Sequence, residues 1–315
     1  MRSMIAVALL ALLAACAPAL VPDSAEACRV ERVASVPLIP PDPPRTTRWA
    51  VEVALDGKPA TMMLDSGASS LVIDSAAATR LGLRERPDYR ATSFGLGGVV
   101  YRRVFEVDSV GIGAQVTKAQ ALVIEMTSTQ QAGSGFDGIV GMGAFVHNDI
   151  EIDFPSRTLS LYRARFCPSG TPWTEPHSRF PRSNSANHAR TNLPMVSVRL
   201  DGKQAHALLD TGASASAVDH SFARSVGAPA EPPPGARRGV ARTMSENSVA
   251  MWQHRFGEMQ IGGLRLANMP IWLMDLGMTA DMIVGLDILG QLRIWISNSS
   301  DAVYIAPAAG VPARR

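Results

Sequence analysis

The chain has 315 residues, 46% of them hydrophobic, which is enough to bury the core of one large domain or of two ordinary ones. Its formal net charge is only +2, and its densest basic cluster is Arg237, Arg238 and Arg242, which reads as a solvated loop. A nucleic-acid partner, which needs a concentrated basic face, is therefore not expected.

The first residues, MRSMIAVALLALLAAC, place an Arg ahead of an uninterrupted apolar run from Met4 to Ala15. That run is shorter than the about 20 residues that span a bilayer, and it has the build of an export signal over residues 1–15. Its ending, Leu13 to Cys16, resembles the bacterial lipobox. The resemblance implies that Cys16 is the lipidated first residue of a mature lipoprotein, anchoring the chain to a membrane of a bacterial cell envelope. Ala17 after the cysteine, in place of Asp, points by the same resemblance to the outer membrane. Ordinary signal cleavage after Ala27 is the alternative.

Residues 16–46 are rich in Pro and Ala around VPLIPPDPP and read as an extended tether. A first lobe is expected over residues 47–167, a second composition-poor linker over 168–192, and a second lobe over 193–308. Two further cysteines, Cys28 and Cys167, could pair in an oxidising periplasm, with a loop-entropy ceiling of about 5 kcal/mol; two free thiols are the alternative. No CxxC is present, so thiol redox or zinc chemistry has no support.

The lobes are copies. Residues 51–83 align with 196–228 at a constant shift of 145, and 15 of the 33 positions are identical. Residues 110–126 parallel 259–275, and GIVGMGAF parallels MIVGLDIL. A repeat of this size gives two lobes rather than a solenoid. Each begins with a strand of alternating apolar residues, WAVEVAL or PMVSVRL, followed by an Asp-Gly hairpin signal. DIEIDFPSRTLSLYR and QLRIWISNSSDAVYIA read as hairpins that close each lobe. Helix is expected only near residues 75–81, near 220–226, and after Gly141 and Gly285. The fold class is all-β, bilobed, with minor helix.

In each copy a strand ends in an Asp followed by a hydroxyl residue, Gly, Ala and Ser: MMLDSGAS and ALLDTGAS. One such turn is common loop chemistry. Two copies on duplicated lobes are different, because lobes related by a pseudo-twofold axis bring any turn on that axis against its own copy. Asp65 and Asp210 would then face each other and share one proton, giving a general base and a general acid in one pair. A water deprotonated by one and a carbonyl hydrogen-bonded by the other would hydrolyse a peptide bond without metal or cofactor.

LLDTGAS and MLDSGAS resemble the active-site motif of aspartic peptidases, the pepsin and retropepsin superfamily. FDGIVGMG and IVGLDIL are similar to the segments that pack behind the catalytic loops in that family. The likeness covers both lobes, roughly residues 47–307, and implies two β lobes with a peptide or protein substrate in the cleft between them. It implies that Ser66 and Thr211 cross-brace the two loops and that Gly67 and Gly212 set their shape. The chain resembles a fused, single-chain retropepsin dimer of the bacterial kind, and so a monomer. The flap that covers the cleft in this family is assigned to SFGLGGVV, with Phe94, Gly95, Gly97 and Gly98 against substrate; a plain hairpin tip is the alternative. RGVARTMSE in the second lobe lacks that glycine run. Ala68 and Ala213 stand where pepsins often carry a hydroxyl, which predicts a working range milder than gastric pepsin, roughly pH 5–7.

Asp137, Asp149, Asp153 and Asp287 read as turn or capping residues, and Trp272 and Trp295 as core. None of the six histidines stands at ligand spacing with another donor, so no metal is expected. The sequence thus predicts an exported aspartic endopeptidase acting on envelope proteins or peptides. A non-catalytic peptide-binding module of the same fold is the alternative.

Overall fold

The computed structural model describes residues 29–43, 47–95, 98–126, 135–165, 171–182, 192–242, 248–277 and 280–307. Cys16, Cys28, Cys167 and Gly97 lie outside these residues.

In chain order the strands begin with β1 (Arg29–Pro37), followed by the first lobe: β2 (Ala50–Leu55), β3 (Lys58–Leu64), β4 (Leu71–Asp74), β5 (Arg84–Gly95), β6 (Gly98–Ile112), β7 (Gln115–Met126) and β8 (Gly138–Val140). Then come β9 (Asp149–Asp153), β10 (Thr158–Arg165) and β11 (Ser178–Pro181). The second lobe holds β12 (Met195–Leu200), β13 (Lys203–Leu209), β14 (Ala217–Asp219), β15 (Arg238–Arg242), β16 (Ser248–Ile261), β17 (Leu264–Met274) and β18 (Met282–Val284). The chain ends in β19 (Leu292–Ser297) and β20 (Ala302–Pro307). The helices are α1 (Ser75–Leu81), α2 (His220–Ser225) and α3 (Leu286–Leu289), with a 3-10 turn at Met142–Phe145.

The two lobes have one topology. Lobe one runs β2-β3-β8-β4-β7-β6-β5, and lobe two repeats it as β12-β13-β18-β14-β17-β16-β15. Pairing of β2 with β6, and of β12 with β16, rolls each sheet into a barrel-like form. The Asp-Gly turns adopt the left-handed geometry that a tight two-residue hairpin needs: φ is 50° and 76° at Asp56 and Gly57, and 45° and 79° at Asp201 and Gly202. Their side chains do a second job. Asp56 Oδ1 accepts from the Asp108 and Ser109 amides, and Asp201 Oδ1 accepts from the Glu258 amide, so each turn is pinned to the long hairpin beside it. Asp74 and Asp219 cap α1 and α2 by accepting from the first-turn amides, as N-cap aspartates do.

The remaining strands form a third sheet, β1-β10-β9-β19-β20-β11, that belongs to neither lobe. This corrects three expectations. The hairpins β9–β10 and β19–β20 do not close their own lobes; they meet edge to edge, with Ile150 opposite Ile296 and Ile152 opposite Ile294. The second half of the tether is strand β1, paired with β10 along its length, because Val33, Ala34 and Val36 supply apolar contacts that a Pro-rich average conceals. The linker contributes β11 and docks Trp173 and Phe180, each 8% exposed.

A polar cluster lies on one face of this sheet. Glu151 accepts from Tyr162 Oη (2.6 Å), Trp173 Nε1 (2.8 Å) and Arg293 (2.7 Å). Arg293 also pairs with Glu175, and its guanidinium lies 4.8 Å from the centre of the Trp173 ring. Burial and the Glu151 carboxylate push the Tyr162 hydroxyl up to about 12. Removing one partner of a buried ion pair strands the other charge. Arg293→Met is therefore expected to lower stability by about 3 kcal/mol in urea unfolding.

Candidate active site

Each acid sits where a buried strand runs out. β3 lies between β2 and the parallel strand β8 and delivers Asp65; β13, between β12 and the parallel strand β18, delivers Asp210. The Asp65 amide donates to Val140 O (3.1 Å) and the Asp210 amide to Val284 O (2.9 Å), which fixes the point of exit. Behind each loop stands a glycine that nothing larger could replace. A β-carbon on Gly141 would lie 2.5 Å from the Ala68 and Ser70 carbonyl oxygens, and one on Gly285 would lie 2.7 Å from the Ala215 carbonyl carbon. The next residues grip the loops: Met142 N–H donates to Ala68 O (2.8 Å) and Leu286 N–H to Ala213 O (2.9 Å).

The loops brace each other across the lobe boundary. Thr211 Oγ1 accepts from the Ser66 amide (2.9 Å) and donates to Leu64 O (2.9 Å). Ser66 Oγ accepts from the Thr211 amide (3.0 Å) and donates to Leu209 O (2.6 Å). Both side chains are almost fully buried.

The brace brings the acids together. A β-carbon on Gly67 would lie 2.6 Å from Asp210 Cγ, and one on Gly212 would lie 2.4 Å from Asp65 Cγ. Each carboxyl thus packs on the other lobe's glycine, and the two share a side-chain hydrogen bond. Burial raises both above the ordinary aspartate range. The backbone treats them unequally. Among the described residues, one backbone amide, that of Gly67, donates to Asp65 Oδ1, at 2.8 Å. Asp210 Oδ1 accepts from Gly212 (2.8 Å) and Ala213 (3.1 Å). On these backbone donors Asp210 is the better holder of the charge and Asp65 the better holder of the proton.

Apolar walls flank the acids. In lobe two, Ala213, Ala241, Val249, Met251 and Trp272 lie half-buried over Ala217, Met274, Leu276 and Ile283. In lobe one, Ala68 and Phe136 pack on Met63, Val72 and Ile139. Trp295 is fully buried, but Trp272 belongs to this wall rather than to the core, with the Arg237 guanidinium 5.5 Å from its ring centre.

Of the flap residues, Phe94 pairs with Val99 and Gly95 with Gly98 at the end of the β5–β6 hairpin. The matching hairpin of lobe two, β15–β16, pairs Arg242 with Ser248. Asp137, Asp149, Asp153 and Asp287 each accept from a backbone amide, as turn and capping residues do. Sequence reasoning passed over two features. Ser216 Oγ donates to Asp287 (2.7 Å) and accepts from the Gly285 amide (3.0 Å), a lock found in the second lobe, where Gly143 takes the place of Asp287 in the first. Arg48 Nε donates to Gly212 O at 2.6 Å, from one lobe to the other. Arg48 lies three residues before the aligned block, where the shift of 145 matches it with Leu193, and that mismatch was the available signal.

Replacing Thr211 by its isostere Val would leave the Ser66 amide and the Leu64 carbonyl buried without a partner. An unmade buried hydrogen bond costs about 1–3 kcal/mol. Thr211→Val is expected to lose on the order of 3 kcal/mol in chemical denaturation, and Thr211→Ser to stay within about 1 kcal/mol of the parent.

No curated protein is significantly similar to the chain. The family described as aspartyl protease matches it twice, over residues 51–144 and 196–288. The two matches take in both acid-bearing loops and the glycine segments behind them, and together they cover more than half of the sequence. The chain belongs to the aspartyl protease family, as a single polypeptide carrying two copies of the family's domain.

Proposed function

We propose that the protein is an aspartic endopeptidase in which Asp65 and Asp210 activate water against a peptide bond. The observation that supports this reading is the approach of two buried carboxyls from opposite lobes, each against the other's glycine, with one proton favoured between them. Two such acids differ in role without differing in kind. Ionised Asp210 takes a proton from water as the water oxygen bonds to the substrate carbonyl carbon. Asp65 gives its proton to the carbonyl oxygen, and a neutral gem-diol results. Collapse returns one hydroxyl proton to Asp65 while Asp210 passes its own to the amide nitrogen. The C–N bond breaks, an acid and an amine leave, and the pair regains its single proton. Low local dielectric makes these charge interactions stronger than they would be in water.

The flanking walls suit extended substrates with apolar side chains on either side of the scissile bond. The reading extends to location. The apolar run of residues 4–15 and the motif ending in Cys16 support export and lipid anchoring, so that proteins and peptides of the cell envelope are the proposed substrates of a monomeric, tethered enzyme.

A diverse peptide mixture offered to the parent, Asp65→Asn and Asp210→Asn tests the chemistry. Cleavage is expected from the parent alone, with each variant slower by at least about 10³-fold; equal cleavage by all three places the reaction elsewhere, and peptide retention without cleavage by the parent identifies a binding module. The pH dependence carries a sign. Activity needs one acid ionised and one protonated, and burial raises both, so the alkaline limb of kcat/KM is expected above the ordinary aspartate range. A profile that falls away within that range would contradict the burial described.

A further inference from the structure

The pseudo-twofold axis that relates the two loops is broken by one cation. Arg48 precedes β2, is half-buried, and reaches from lobe one to the Gly212 carbonyl in the Asp210 loop. The corresponding position of lobe two is fixed by backbone geometry as well as by alignment. Trp49 O accepts from the Leu64 amide (3.0 Å), and Pro194 O accepts from the Leu209 amide (3.1 Å), so the residues before them, Arg48 and Leu193, are equivalent. Leu193 packs on Met195, Leu208 and Ala280 and brings no charge to the Asp65 loop.

The carbonyl that Arg48 holds is one end of a peptide group whose other end is the Ala213 amide, and that amide donates to Asp210 Oδ1. A charge-assisted bond to the carbonyl polarises the peptide and strengthens the donor on its far side. The Ala68 and Ala213 amides both lie 3.3 Å from the backbone carbonyl of their own aspartate, and the Ala213 amide also donates to the carboxyl, Asp210 Oδ1 (3.1 Å). Among the described residues, the charged groups that bear most on the two acids are each other and Arg48, which holds both lower than burial alone would. We infer that Arg48 is a positioning residue: through the Gly212 peptide it fixes Asp210, and not Asp65, as the member of the pair that carries the negative charge. Its cost in symmetry yields a fixed division between base and acid.

The inference builds on the peptidase reading but is tested apart from it, by carboxyl titration that needs no turnover. In the full protein, the ¹³C carboxyl resonances of Asp65 and Asp210, assigned from the two Asn variants, are followed with pH in the parent, Arg48→Lys, Arg48→Gln, Arg48→Leu and the exchange Arg48→Leu/Leu193→Arg. In the parent, Asp210 is expected to ionise first. In Arg48→Gln, which keeps a hydrogen-bond donor, and in Arg48→Leu, both carboxyls are expected to titrate higher, Asp210 by about one pH unit and more than Asp65, through loss of a nearby opposite charge and of the polarised Ala213 donor; an equal rise at both would overturn the inference. Arg48→Lys is expected to stay near the parent, and the exchange to hand the first ionisation to Asp65. If cleavage is observed, both limbs of its pH profile move upward with the titration. Titration unchanged in Gln and Lys alike, with only stability or turnover reduced, would make Arg48 a mere brace and overturn the inference. So would first ionisation at Asp65 in the parent. Should the Leu variants fail to fold, the Gln and Lys comparison decides alone.

Discussion

The exchange of hydroxyls between Ser66 and Thr211 is the contact on which the rest of the molecule turns. Each hydroxyl accepts from the other loop's amide and donates to the strand that ends beside it. The four bonds form a closed, buried set with no lone partner, the condition under which a polar network rigidifies rather than weakens a core. Without it, two carboxyls that repel when both are charged would be held in contact only by the shared sheet and by Arg48, at a distance from the loops' own amides. The stability of the fold and the abnormal proton affinity of the pair are thus linked through the same few atoms.

The glycines on either side of the brace follow from the same requirement. Gly67 and Gly212 leave room for the opposing carboxyls, while Gly141 and Gly285 let the supporting segment press against the back of each loop. Four positions without side chains define a space whose contents are two acids and little else. Apolar walls continue outward from it on both lobes, so that the polar chemistry is confined to the centre of a hydrophobic trough. The two lobes are not equivalent in detail. Ser216 and Asp287 lock the second loop, Arg48 leans on it from the first lobe, and Asp210 accepts two amides to the one taken by Asp65.

What could be read from the sequence was what repeats locally. The Asp-Gly turns, the acids, the hydroxyls after them and the short helices are each specified within a few residues and written twice, and all of these elements form as expected. What escaped was set by distant partners. Nothing within DIEIDFPSRTLSLYR states that its edge will meet QLRIWISNSSDAVYIA and not its own lobe, since either choice satisfies the alternation of its apolar residues. Trp173, Phe180 and the valines of β1 are single apolar residues in Pro- and Ser-rich surroundings, and composition averages them away. Arg48 was missed for a different reason: its importance lies in differing from its counterpart, and a search for repeats attends to what agrees.

The shared sheet bears on how the halves cohere. β9 and β19 are neighbours through main-chain bonds, β1 and β11 close its two outer margins, and Arg182, from the connecting segment, holds Asp301, Asn298 and the Ser297 carbonyl. The covalent passage between the lobes is only one of several ties. A scission within residues 183–190 would leave two fragments still zipped together along a common backbone seam, so a nicked molecule would travel as one particle in solution and divide in two only when denatured.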